Sequence, residues 1–195
     1  VAVLVFFLHH IPSSIRINVV LEKIGRRLLE AVRETYPVED QSSEAVAPKA
    51  GEPVFAWSTG YVQMIDFEDL ERIAREKDCT FSLKVRTGDF VHRDLPLMDV
   101  CGCEPDELID ELRDCFQTGA SRTPEQDPQF LIDELVEIGL RALSPGINDP
   151  FTAITAMHWM GAALAELGSR DLDRGPEQED YDWDRVQPLS DDFHH

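Results

Sequence analysis

Eight consecutive apolar residues, VAVLVFFL at 1–8, open the chain. Eight residues do not span a bilayer, which needs about 20. Such a run reads either as a buried core strand or as the last turns of a transmembrane helix. The neighbouring basic residues favour the helix. Arg16, Lys23, Arg26 and Arg27 fall within about twenty residues of the apolar end, the clustering expected on a cytoplasmic flank. The run lacks a small-residue cleavage pattern after it, which argues against a secretory signal. Ile15, Val19, Ile24, Leu28 and Val32 then give helical spacing over 13–35, and Pro37 stops the helix. His9 and His10 fall near the headgroup level; as neighbours on a helix they point apart and make a poor metal pair.

The polar stretch 37–53, with Pro48 and Pro53, reads as a linker. Over 54–103 the period shortens. Val54–Trp57 and 61–65 read as strands, Asp66 caps a helix over 67–77, and 81–85, 90–91 and 97–100 read as further strands. A small β module with one inserted helix is expected there. A helical domain is expected over 104–168. It begins with a helix from Glu104 to Phe116, with Gly119 as its stop, and continues with a hairpin of helices at 128–143 and 150–167. Asp127-Pro128 and Asp149-Pro150 head the two hairpin helices, pairing a preferred cap with a preferred first helical residue. Residues 169–195 read as an acidic linker followed by a short strand and an interrupted helix start. His194 and His195 read either as tag remnants or as a native pair. The fold class is therefore α+β: a barrel-sandwich-like β module followed by a helical hairpin or bundle, preceded by the truncated end of a transmembrane helix.

Charge narrows the environment. With 38 Asp and Glu against 18 Lys and Arg, the net charge is −20. Such a chain repels phosphate, so no nucleic-acid partner is expected. The charge reads either as an ordinary soluble surface or as an adaptation to high salt, where screening relieves self-repulsion. Disorder is set aside because 43% of the residues are hydrophobic. Cys79, Cys101, Cys103 and Cys115 lack zinc spacing and are expected as reduced, unligated thiols in a cytoplasmic compartment, with no metal and no cofactor. Because it starts without Met inside an apolar run, the chain reads as part of a longer protein.

Several segments carry a resemblance. FFLHHIPSSIRIN, TGYVQMIDFEDLERIA, RTGDFVHRDLPLMDV and RTPEQDPQFLIDELVEIGLRALSPGINDPFTA resemble the predicted integral membrane proteins called domain of unknown function 2254. The resemblance covers most of 1–170 and is most specific at ALSPGINDPFTA. It implies N-terminal transmembrane helices followed by a long cytosolic region. No activity comes with it. Separately, Gly88 to Leu97 resembles the hairpin of biotinyl and lipoyl carrier domains in shape. No lysine occupies the turn that carrier function needs, and Asp94 stands where a glycine is usual.

Candidate chemistry concentrates at the ends of the hairpin helices: Arg122, Thr123, Gln126, Asp127, Arg141, Ser144, Asn148, Asp149 and Thr152. These residues read as a ligand or ion pocket, or as helix caps and turn bonds, with Arg141 paired to one of the two aspartates. Nucleophile-elbow, phosphate-loop and zinc-protease patterns are absent, so an enzyme is not expected. The expected role is the cytosolic region of a plasma-membrane protein, attached through its N-terminal helix, that gates or regulates a pore or transporter as a homo-oligomer. The alternatives are an enzyme of unrecognised type using the 122–152 corner and a carrier-like binding adaptor.

Overall fold

A computed structural model describes residues 2–36, 50–170 and 185–189, with side chains described from residue 17 onward. The side chains of the apolar opening and of His9 and His10 lie outside the described residues. So do most of the first linker, the acidic linker and the expected helix start with His194 and His195.

In chain order the elements are α1 (Ala2–Thr35), β1 (Glu52–Phe55), β2 (Gly60–Ile65), α2 (Phe67–Lys77), β3 (Thr80–Leu83), β4 (Phe90–Val91) and β5 (Pro96–Cys101). They continue with a short 3-10 turn at Pro105–Glu107, α3 (Ile109–Asp114), β6 (Phe116–Gly119), α4 (Pro128–Ala142), α5 (Pro150–Leu167) and β7 (Val186–Gln187). The α+β class holds. The chain divides into two compact units. One is helical, residues 1–34 and 128–170; the other carries the sheets, residues 35–127 and 171–195.

The sheet unit has a four-stranded sheet of order β1-β5-β3-β7 and a three-stranded sheet of order β4-β2-β6. Both contribute to one core, in which Phe81, Val62, Leu70, Leu97, Met98 and Leu112 are fully buried. Asp66 caps α2 as the sequence indicates, accepting from the Asp69 amide at 3.0 Å. Three features differ from expectation. Gly119 does not stop a helix; it ends β6, which runs antiparallel to β2 with Gly119 opposite Tyr61. The expected helix of 104–116 is a 3-10 turn and the six-residue α3, and it groups with the sheets. The segment from Gly88 to Leu97 does not close on itself as a hairpin, because β4 pairs with β2 in one sheet and β5 pairs with β1 and β3 in the other.

The cysteines are also corrected. Cys79 and Cys103, expected as free thiols, form a disulfide with Cα atoms 5.6 Å apart. Strand register brings them together: β3 and β5 are antiparallel with Thr80 opposite Cys101, so the residues just outside these strand ends meet. Cys101 is free and partly exposed, and Cys115 is free and buried. Burial is the main cause pushing the Cys115 thiol up to about 12. It is therefore neutral and unreactive near neutral pH.

The helical unit comprises α1, α4 and α5. Leu21, Gly25, Leu28 and Val32 are the buried line of α1, and Val19 is exposed. Leu28 and Val32 of the expected stripe are thus buried and Ile24 partly so, while Val19 lies off the line. Gly25 marks where α5 meets α1: a Cβ there would lie 2.2 Å from the Trp159 ring. Leu131 and Leu135 of α4 and Ala156 and Ala163 of α5 are likewise buried. Among the described residues no helix is long and apolar enough to cross a membrane.

Candidate functional site

The nine candidate residues fall into two groups, one just before α4 and one from the end of α4 to the start of α5. Arg122, Thr123, Gln126 and Asp127 belong to the sheet unit; Arg141, Ser144, Asn148, Asp149 and Thr152 belong to the helical unit.

In the sheet unit, residues 120–127 form a strap bound to β2. Thr123 Oγ1 donates to the Gln63 carbonyl at 3.4 Å, at the point where a register shift in β2 exposes that oxygen. The Gln126 side chain acts like an extra strand residue: its Oε1 accepts from the Ile65 amide at 3.0 Å and its Nε2 donates to the Ile65 carbonyl at 3.2 Å. Gln126 itself has φ 54, a left-handed conformation uncommon for a residue with a Cβ. Asp127 is 2% exposed and accepts from Arg122 Nε and Nη2, each at 2.9 Å, in a two-point pair. Gly88, at φ 95, lies over this pair; a Cβ there would be 2.4 Å from Asp127 Oδ2. The closeness of Gly88 to Asp127 depends on tertiary packing.

In the helical unit the group is a turn and a cap. Asp149 Oδ1 accepts from the Thr152 amide at 3.3 Å, and Thr152 Oγ1 donates to Asp149 Oδ2 at 2.7 Å. Asn148 has φ 48, and its amide donates to the Ser144 carbonyl at 2.9 Å. Ser144 Oγ donates to the Arg141 carbonyl at 2.7 Å. Arg141 does not pair with either aspartate; its partner is Glu137, one turn earlier on an exposed face. These bonds meet the needs of the end of α4 and the start of α5. Asp149→Ala is accordingly expected to lower helical-unit stability by about 1 kcal/mol, read as a small drop in thermal unfolding temperature. Loss of function at unchanged stability would instead assign Asp149 a ligand role.

A third polar group was not singled out from sequence. Glu166 accepts from Arg33 Nε and Nη2, each at 3.2 Å, and from Arg170 Nη2 at 2.8 Å, while Arg170 Nη1 reaches the Arg33 carbonyl at 3.2 Å. Hydrogen bonds from Arg33 and then Arg170 hold the Glu166 carboxyl below its ordinary range. Because the folded value is depressed, its stabilising effect is present above the unfolded value and is lost as pH falls through the folded one. The pair ties the end of α1 to the end of α5. Charged residues at surface helix ends carry no sequence signal for such a partner.

One helix carries the apolar opening and then the basic stretch, and it belongs to the same compact unit as α4 and α5. Comparison places the chain among predicted membrane proteins. All of residues 1–195 match the family described as "Predicted membrane protein (DUF2254)", and the chain belongs to this family. An uncharacterized protein of Mycobacterium bovis is 33% identical over 184 residues, covering 88% of this chain. Two uncharacterized proteins of Mycobacterium tuberculosis show the same identity and coverage. The chain spans 35% of the length of these relatives. No solved structure matches.

Proposed function

We propose that this chain is the cytosolic region next to the last membrane helix of a plasma-membrane protein, and that it couples that helix to the gating or regulation of a pore as part of a homo-oligomer. The observation that carries the reading is the continuity of α1. A single helix, Ala2–Thr35, joins the apolar opening to the segment held by α5 at Gly25 and Arg33. A rigid helix fixed at two levels transmits rotation or tilt to whatever it is packed against. On sidedness two features oppose each other. The basic cluster after the apolar run favours the cytoplasm, whereas the Cys79–Cys103 disulfide favours an oxidising compartment. We give weight to the basic cluster because it lies beside the helix whose insertion it directs.

The test is extraction and mass analysis of the full-length protein. Retention in the membrane pellet after alkaline carbonate, together with a detergent-solubilised mass of several protomers, is expected. A monomer in mild detergent would overturn the oligomeric part, and release by carbonate would overturn the membrane part.

A further inference from the structure

Helix α5 carries apolar residues on every side. Ala153, Ala156 and Ala163 are buried, while Ile154, Met157 and Leu164 are exposed. A helix that is apolar all round belongs in a covered position. On α4, Val136, Leu140 and Leu143 are exposed as well. The two sets form one surface. Gly139 of α4 meets Ala156 of α5, with 3.8 Å between the two β positions. The hairpin helices are antiparallel, so one residue further on in each helix leads to the same side, where Leu140 and Met157 emerge. The same step leads from buried Leu135 to Val136, from Ala142 to Leu143 and from Ala163 to Leu164.

These six side chains are between 40% and 66% exposed. Together they leave roughly 600 Å² open, the upper end of the range for the largest apolar patch of a monomer. That is most of the about 800 Å² that each partner brings to a stable interface. Polar pairs edge the surface on α4, Glu137 with Arg141 and Asp133 with Gln129, as the rim of an interface requires.

Charge and sequence identify the occupant. From Pro150 to Ala165 there is no Asp, Glu, Lys or Arg, in a chain with 38 acids and a net charge of −20. A basic partner would be met by acidic side chains. A second copy brings the same −20 and is met only where acids are missing. The linkers of this chain do not suit the role by sequence: 37–49 and 171–184 are rich in acids and carry no apolar stripe at helical spacing. The direction of the copy follows from α1. Gly25 approaches Trp159 and Arg33 bonds to Glu166, so α1 and α5 run the same way. Two copies whose α1 helices enter one bilayer are related by an axis along its normal, so their α5 helices run the same way too.

We propose that the outer face of the α4–α5 hairpin is the surface on which a second copy of this chain docks, with the two α5 helices parallel and Met157 and Leu164 each level with its own counterpart. The proposal deepens the reading of α1 as the anchor of a homo-oligomer and rests on it. Such a contact is isologous, the same patch on both copies, and covers both patches at once.

The test is cysteine cross-linking of the full-length protein in its membranes, in a Cys101→Ser background. Met157→Cys and Leu164→Cys are compared with Ala162→Cys, which is exposed about 140° round the same helix from Met157. Oxidation with copper phenanthroline is expected to turn at least half of the protein into a covalent dimer at 157 and at 164, and almost none at 162 or in the background protein. Absence of the dimer at 157 and 164 overturns the proposal: if a maleimide labels these cysteines the face is open, and if it does not another segment covers the face. A dimer at only one of the two positions means that the copies run in opposite directions, and equal dimer at all three means collision; either overturns it. Mass in mild detergent and retention after carbonate are measured on the same samples. A membrane-held oligomer that does not cross-link contradicts this face alone, whereas a monomer or release by carbonate contradicts the anchored oligomer itself.

Discussion

Asp127→Ala will lower the stability of the sheet unit by about 3 kcal/mol, the cost of breaking a buried ion pair from one side. Asp127 is almost wholly buried, and its two oxygens take two donors of one guanidinium at 2.9 Å each. Truncation removes the carboxylate from the Arg122 guanidinium, whose side chain is 23% exposed, and opens a void beneath Gly88. The strap of 120–127 would lose its anchor while the Gln126 bonds to Ile65 remain. Asp127→Asn, which retains one acceptor and the volume, is expected to lose less. Denaturant unfolding of both variants reads the difference. Equal and small losses would show that the pair is dispensable to the fold, and attention would return to Asp127 as a ligand group.

Gly25→Leu will separate α1 from α5. A Cβ at residue 25 meets the inner atoms of the Trp159 ring at 2.2–2.5 Å, and the inner part of an indole has little room to move aside. Forcing a larger side chain into a packed contact typically costs about 1–3 kcal/mol, and a four-carbon side chain lies at the upper end. The Arg33–Glu166 contact lies about two turns further along, so it is expected to weaken with the displacement. Faster amide exchange in both helices, with the sheet unit unaffected, is the expected pattern. Gly161 is the contrasting case: nothing lies within 4 Å of its Cβ position, so Gly161→Ala is expected to stabilise α5 by about 0.5–1 kcal/mol. If both substitutions behave alike, the close approach at Gly25 does not hold the helices together.

Local chemistry made much of the fold legible. Asp66 and the two Asp-Pro pairs located α2, α4 and α5 nearly to the residue, because caps and first-turn prolines act within a few positions. Long-range pairing stayed hidden. Phe116 to Gly119 carries no strong strand pattern and becomes β6 because β2 offers it an edge. Cys79 and Cys103 are joined by strand register, which spacing along the chain does not encode. On α1 the spacing found Leu28 and Val32, whereas Gly25, invisible to a hydrophobic periodicity, belongs to the same buried line. At the candidate site Asp149 and Thr152 meet in a capping contact at the start of α5, whereas Arg122, Thr123, Gln126 and Asp127 bond within the strap beside β2. Their division between two units, and the choice of Arg122 rather than Arg141 as an aspartate's partner, came from packing.

Sided labelling of the full-length protein in intact cells tests most directly whether this region hangs from the membrane on its inner face. Glu68, exposed in the first turn of α2, is replaced by Cys in a Cys101→Ser background; Cys115 is buried and its thiol is neutral. Protein in the membrane pellet that reacts with an impermeant maleimide only after the cells are permeabilised is the predicted result. Labelling of intact cells, or recovery of the protein in the soluble fraction, would contradict it.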